Sequence, residues 1–324
     1  MTEGARSPED IARIKAELRS RFVHHEGYQA LRARYRDLIA KRTAELALGL
    51  ISEGRGIAVI GESGSGKTTA VQRILRHDGP FDAAADEIRW ISLRVPTPAT
   101  QKDLTRAMLV ALKFPIARDT TASRMWELVH HHLALRRTWF IHLDEGQELG
   151  GRGSDAERAG VINSLKSLMQ IPDWPLNLIV SGTPELRQLL QQDAQLSRRF
   201  YIVPLAPINE IVFRDHVRDL IARYAQLAGL PLARDLDEAE FVPRLIHAAR
   251  EQFGILLELL IDALAHALAQ PSGRLDRRAF SAAYAERTGA ILAANPFDAP
   301  DFRTVPNGRT PPPNDDPPVR PRKR

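Results

Sequence analysis

The chain has 324 residues, 44% hydrophobic and 26% charged, with a formal net charge of +5; this fits a soluble globular protein with room for one large α/β domain and a smaller one. It contains no cysteine, which excludes disulfides, thiolate metal sites and cysteine catalysis and fits a reducing cytoplasm. The basic balance has two readings, contact with a polyanion or arginine used where another proteome uses lysine.

The first residues carry scattered charges and no apolar run, so no signal peptide is expected. The longest apolar stretch, 254–269, carries Glu258, Asp262 and His266 and is too short and polar to span a bilayer. A cytoplasmic protein is expected. Residues 8–53 read as helical, with Ser7 and Pro8 suited to the N-cap and first helical position. This basic segment holds Arg19, Arg21, Arg32, Arg34, Arg36, Lys41 and Arg42 against Glu26 and Asp37. Its aromatics Phe22, Tyr28 and Tyr35 either anchor it to a core or serve nucleic acid or a neighbouring subunit.

From residue 56 short apolar runs alternate with helical periodicity. Strands are expected at 56–61, 88–95, 138–144, 177–182 and 200–205, with amphipathic stretches between them. That alternation implies a P-loop α/β core, a mostly parallel five-stranded sheet covered by helices on both faces. After residue 208 only helical patterns remain, through 291, and 292–324 is rich in proline with a basic end. The expected organisation is a basic helical segment over 1–55, a core over 56–207, a C-terminal all-helical domain over 208–291 and a disordered tail over 292–324.

The first expected strand runs into GESGSGKTT, in which Gly61, Gly66, Lys67 and Thr68 satisfy G-x-x-x-x-G-K-[ST] in full. A buried strand before it and an amphipathic helix after it are the context this motif requires. Glycines let the backbone fold round phosphates so that N–H groups at a helix N-terminus point inward. The loop Gly61, Glu62, Ser63, Gly64, Ser65, Gly66, Lys67, Thr68 and Thr69 is therefore the candidate ATP cradle. Lys67 is placed to reach the β- and γ-phosphates and the Thr68 hydroxyl to coordinate Mg²⁺.

The third expected strand ends in Asp144 and Glu145. Asp144 is suited to hold Mg²⁺ through water, since a hard cation prefers oxygen ligands. Glu145 at the strand tip is suited to polarise an attacking water. The fourth strand ends near Ser181 and Thr183, either of which is a candidate to touch the γ-phosphate or orient the water; Thr183 is equally suited to cap the helix that begins at Pro184. The run His130–His132 is not a metal site, because consecutive helical residues point in different directions.

These features, with the arginine pair Arg198 and Arg199 and a helical C-terminal domain, resemble the AAA+ superfamily over about residues 45–290. The resemblance implies that one arginine, Arg199 by preference, reaches a neighbouring subunit's site. It departs at 253–260, where leucines stand in place of an expected lid arginine and Arg250 is the nearest candidate. That departure implies hydrolysis that is slow or partner-dependent. More narrowly, RFVHHEGYQAL, LDEGQEL and VSGTPELRQLL are similar to the TniB/TnsC/MuB-type ATPases that accompany DDE transposases. This implies ATP-dependent homo-oligomers, rings or filaments, on double-stranded target DNA of any sequence, which recruit or activate a transposase with or without a target-site adaptor. Thr100, Lys102 and Arg106 are then the candidate DNA contacts, or else an ordinary solvated helix face. The alternative is an ExeA-like assembly or signalling ATPase not acting on DNA.

Overall fold

The computed structural model describes residues 6–79, 86–116, 121–151 and 155–307. In chain order the elements are α1 (Pro8–Ser20), α2 (Glu26–Leu48), β1 (Gly56–Ile60), α3 (Lys67–His77), β2 (Trp90–Arg94), α4 (Gln101–Ala111), α5 (Ala122–Leu135) and β3 (Phe140–Asp144). They continue with α6 (Asp155–Met169), β4 (Asn177–Gly182), α7 (Pro184–Gln192), α8 (Ala194–Ser197), β5 (Phe200–Pro204), α9 (Glu210–Ala228), α10 (Phe241–Ala248), α11 (Phe253–Ala269) and α12 (Arg277–Thr288). Two compact units result, one of residues 23–207 and one joining 1–22 to 208–324.

The first unit is the five-stranded parallel sheet expected from the alternation, in the order β2-β3-β4-β1-β5. The inner strands β1 and β4 are buried along their whole length, as strands covered on both faces must be. One face buries Ala58, Ile60, Ile91, Ile141, Leu143, Leu178 and Val180 against α4, α5, α6 and α7. On α2 the apolar stripe Tyr28, Leu31, Tyr35 and Leu38 recurs at helical spacing and is buried. Tyr35 meets Phe140 of β3 with ring centroids 4.8 Å apart, so both tyrosines of this basic segment serve as anchors. Because all strands are parallel, the turns after β1, β3 and β4 emerge on one side, and the three polar motifs meet there.

The helical reading of 8–53 resolves into two helices that part at residues 21–25. Ser7 caps α1 as expected, its hydroxyl accepting from the Asp10 N–H at 3.2 Å. Helix α1 buries Ile14 and Leu18 and packs against α9 and α11. Its cations are matched by acids of α11, with Lys15 2.6 Å from Asp262 and Arg19 2.7 Å from Glu258. On α2, Arg32 and Arg36 are drawn to the buried carboxylate of Asp78. Much of the basic character at the N-terminus is therefore neutralised within the chain. Among the described residues no single helix is long and apolar enough to cross a membrane.

The start of the proline-rich stretch departs from the expected disorder. Phe297, Ala299, Phe302 and Val305 are buried. The reason is Arg244 of α10, itself buried, whose guanidinium donates to the carbonyls of Pro296 (2.7 Å), Ala299 (2.6 Å) and Pro300 (3.2 Å). A few aromatic anchors and one buried cation order a segment that composition assigns to a tail. Residues 308–324, the basic end, lie outside the described residues. Arg244→Ala, which strands the buried carbonyls of Pro296 and Ala299, is expected to destabilise this unit by about 3 kcal/mol; chemical denaturation checks this, and an unchanged midpoint would show that 295–305 is held by the aromatics alone.

Candidate active site

The phosphate loop follows β1 and passes directly into α3. Gly66 precedes the helix with φ of 91°, a conformation that favours glycine, and no side chain caps the first turn. A Cβ on Gly61 would stand 2.6 Å from Ser65 Oγ and 2.9 Å from the Leu205 carbonyl oxygen, so only glycine fits. Lys67 is buried and its ammonium donates to the carbonyls of Gly61 (2.8 Å) and Glu62 (2.9 Å). Burial lowers its pKa against the opposing pull of Glu145, Asp144 and Glu62. Ser65 Oγ is buried and has no protein partner. A cavity of about 210 Å³ is lined by Ser63, Gly64, Gly66, Lys67, Thr68, Thr69, Glu145 and Thr183. An uncapped helix start and an ammonium beside such a cavity fit a phosphate chain.

Asp144 closes the site from β3. Its Oδ2 accepts from the Thr68 hydroxyl at 2.8 Å and its Oδ1 from the Ser181 hydroxyl at 2.6 Å. A carboxylate and a hydroxyl in that contact are the oxygen donors a magnesium ion takes. Of the two candidates for touching the γ-phosphate or orienting the water, Ser181 is fully buried and does not line the cavity. Thr183 does line it. It occupies the N-cap position of α7, yet its side chain makes no capping bond and instead hydrogen-bonds Glu185.

Glu145 sits at the cavity with φ of 57°, a strained conformation for a non-glycine residue, of the kind found where function positions a side chain. It is followed by Gly146, where a Cβ would lie 2.3 Å from Val180 Cγ1. Two site residues escaped the sequence reading. Gln147 donates its amide to Glu145 at 2.5 Å and accepts from the Thr183 N–H at 3.2 Å, bridging the tips of β3 and β4. His142, fully buried in β3, lies 2.8 Å from both Ser92 Oγ and Ser181 Oγ. Burial pushes its pKa down to about 4, so the ring is neutral at physiological pH. The hint for Gln147 lay in its nearness to Glu145; His142 reads in sequence as one polar residue in an apolar strand.

The preference for Arg199 as the outward-reaching arginine is corrected. Its guanidinium is buried and pairs with Glu53 through Nε (3.1 Å) and Nη2 (2.9 Å). Hydrogen bonds from Gln170 and Arg199 hold the Glu53 carboxyl below its usual range. Arg198 is the exposed member of the pair. Of the candidate DNA contacts, Thr100 is the N-cap of α4, bonded to the Asp103 N–H (3.1 Å) and to its carboxylate (2.6 Å), so its hydroxyl is engaged within the helix. Arg106 is exposed and 3.5 Å from Asp103; Lys102 is half-buried. Arg250 is exposed in the turn between α10 and α11 with φ of 55°. Among the described residues no cluster of three or more His, Asp or Glu side chains is placed to hold a metal ion.

A family model described as Bacterial TniB protein matches residues 13–210. No curated protein matches the chain. Among solved structures, the ORC1 protein of Aeropyrum pernix in complex with DNA superposes with a TM-score of 0.60 at 18% identity, over 84% of this chain and 70% of that one. The ORC2 protein of Aeropyrum pernix, in ADPNP–ADP complexes, gives 0.53 at 15% identity over 82% and 69%. Cdc6p from Pyrobaculum aerophilum gives 0.53 at 16% identity over 73% and 62%. At these identities the likeness is one of fold, and it places the chain in the AAA+ fold class.

Proposed function

Because the chain belongs to the bacterial TniB family and is an ATPase with the AAA+ fold, we propose that it binds ATP with Mg²⁺, assembles on duplex target DNA and recruits or activates a transposase. The nucleotide part rests on one observation: Thr68 and Asp144 meet at 2.8 Å beside a cavity that the phosphate loop shares with Glu145 and Thr183. In this reading the loop amides and Lys67 hold the phosphates, and Thr68 and Asp144 would hold the metal, which would supply neutralisation of phosphate charge. Glu145, steadied by Gln147, polarises the attacking water, and Thr183 lies within reach of it. Ser181 acts by holding Asp144. Arg198 is the side chain offered to a neighbour's site.

The DNA part is supported by family membership and by the fold shared with an ORC1 protein that was solved with DNA. Lys102 and Arg106, on α4, are the proposed phosphate contacts, with Thr100 shaping the helix start rather than touching DNA. Binding through such side chains tolerates any sequence and weakens with salt. With a fluorescent duplex of arbitrary sequence, anisotropy is expected to show binding with a non-hydrolysable ATP analogue and none without it. Lys102→Ala and Arg106→Ala are each expected to reduce the log–log salt slope by about 1. Binding that ignores both nucleotide and salt would contradict the proposal.

A further inference from the structure

The proposed metal carboxylate is the end of a line of hydrogen bonds that crosses three strands. Ser92 on β2, His142 on β3 and Ser181 on β4 lie on the same face of the sheet as Asp144, and the spacings Ser92–His142, His142–Ser181 and Ser181–Asp144 are 2.8, 2.8 and 2.6 Å. Strand register makes this possible, since Ser92 stands opposite His142, and His142 opposite Ile179, two residues before Ser181.

The direction of every proton in the line follows from the carboxylate. Asp144 only accepts, so the Ser181 hydroxyl donates to Oδ1 and has no second proton to offer. Ser181 Oγ must then accept from His142, which puts the ring proton on Nε2. With that proton on Nε2, Nδ1 at the other side of the ring meets the Ser92 hydroxyl at 2.8 Å. All three donors point toward Asp144, an arrangement in which each bond polarises the next. Asp144 Oδ2 is left facing Thr68.

We propose that His142 is a positioning residue, whose Nε2–H holds Ser181 and through it fixes the Asp144 carboxylate in the orientation that receives the divalent cation. The proposal rests on the reading of Thr68 and Asp144 as the metal site. Partners that orient metal-binding carboxylates typically change metal affinity by about 10–100-fold when removed. The relay also has an outer end: Ser92 is half-buried and borders a groove of about 740 Å³ together with Thr97, Pro98 and Arg106.

Two substitutions separate positioning from mere packing. In His142→Gln the side-chain amide occupies the place of Nε2 and can still donate to Ser181. In His142→Asn it occupies the place of Nδ1 and reaches only Ser92. Protein in excess over a non-hydrolysable ATP analogue is titrated with Mn²⁺, and free Mn²⁺ is followed by electron paramagnetic resonance, so the readout is metal binding and not turnover. His142→Asn is expected to weaken Mn²⁺ binding about 10–100-fold while His142→Gln stays near wild type; analogue affinity without metal should match wild type in both. Equal Mn²⁺ affinity in the two variants would overturn the proposal. If neither folds, Ser92→Ala decides, because loss of the Nδ1 partner frees the ring: weakened Mn²⁺ binding supports the relay and wild-type binding overturns it. Wild-type protein that takes up no Mn²⁺ with the analogue would instead overturn the metal-site reading itself.

Discussion

Lys67→Ala is expected to lower ATP turnover by about 10²–10³-fold, the cost typical of removing one charged donor from a site where anionic charge develops. It should at the same time leave the fold as stable as wild type or slightly more so. The Lys67 ammonium is buried against the Gly61 and Glu62 carbonyls and its pKa is lowered by desolvation. A lysine whose pKa is lower folded than unfolded binds its proton less readily when folded, so stability rises as pH climbs through that range and the charged form is a net cost at neutral pH. ATP binding should weaken as well, since the ammonium holds the phosphates; a phosphate-release assay, calorimetric titration with ATP and a thermal melt check turnover, binding and stability in turn. Retained ATP binding would mean that the loop is not the phosphate site, and a large loss of stability would mean that Lys67 is structural.

Glu145→Gln should behave differently. The substitution keeps shape and hydrogen-bonding capacity beside Gln147 and removes only the ability to accept a proton. ATP binding is expected to persist while hydrolysis falls about 10²–10⁴-fold, the usual contribution of a general base. The left-handed backbone at this position, with φ of 57°, does not depend on the carboxylate charge. Single-turnover measurements with labelled ATP separate binding from chemistry. A variant that hydrolyses at the wild-type rate would move the water-activating role away from Glu145.

What could be read from sequence was what is local in it. The phosphate loop, the Asp144–Glu145 pair and the five strands announce themselves through contiguous residues, and the parallel topology then brings them together. Features that depend on distant partners could not be read. Arg199 looked free until Glu53, which lies before β1, was seen to hold it. Ser181 looked like a phosphate contact because nothing near it in sequence shows His142 and Asp144 on either side. Residues 295–305 looked disordered because their proline content is local, whereas Arg244, which orders them, lies some fifty positions earlier in α10. The arginines of α1 and α2 suggested an open basic surface, yet Asp262, Glu258 and Asp78 answer several of them.

The central claim is that ATP governs assembly on DNA, and electron microscopy of the protein with long duplex DNA tests it most directly. With Mg²⁺ and a non-hydrolysable analogue, the wild-type protein should form regular rings or filaments on the DNA, and the Glu145→Gln variant should do so with ATP itself. Neither should form without nucleotide, and Lys67→Ala should form none under any condition. Bare DNA in the presence of the analogue, or equal decoration with and without nucleotide, would contradict the account.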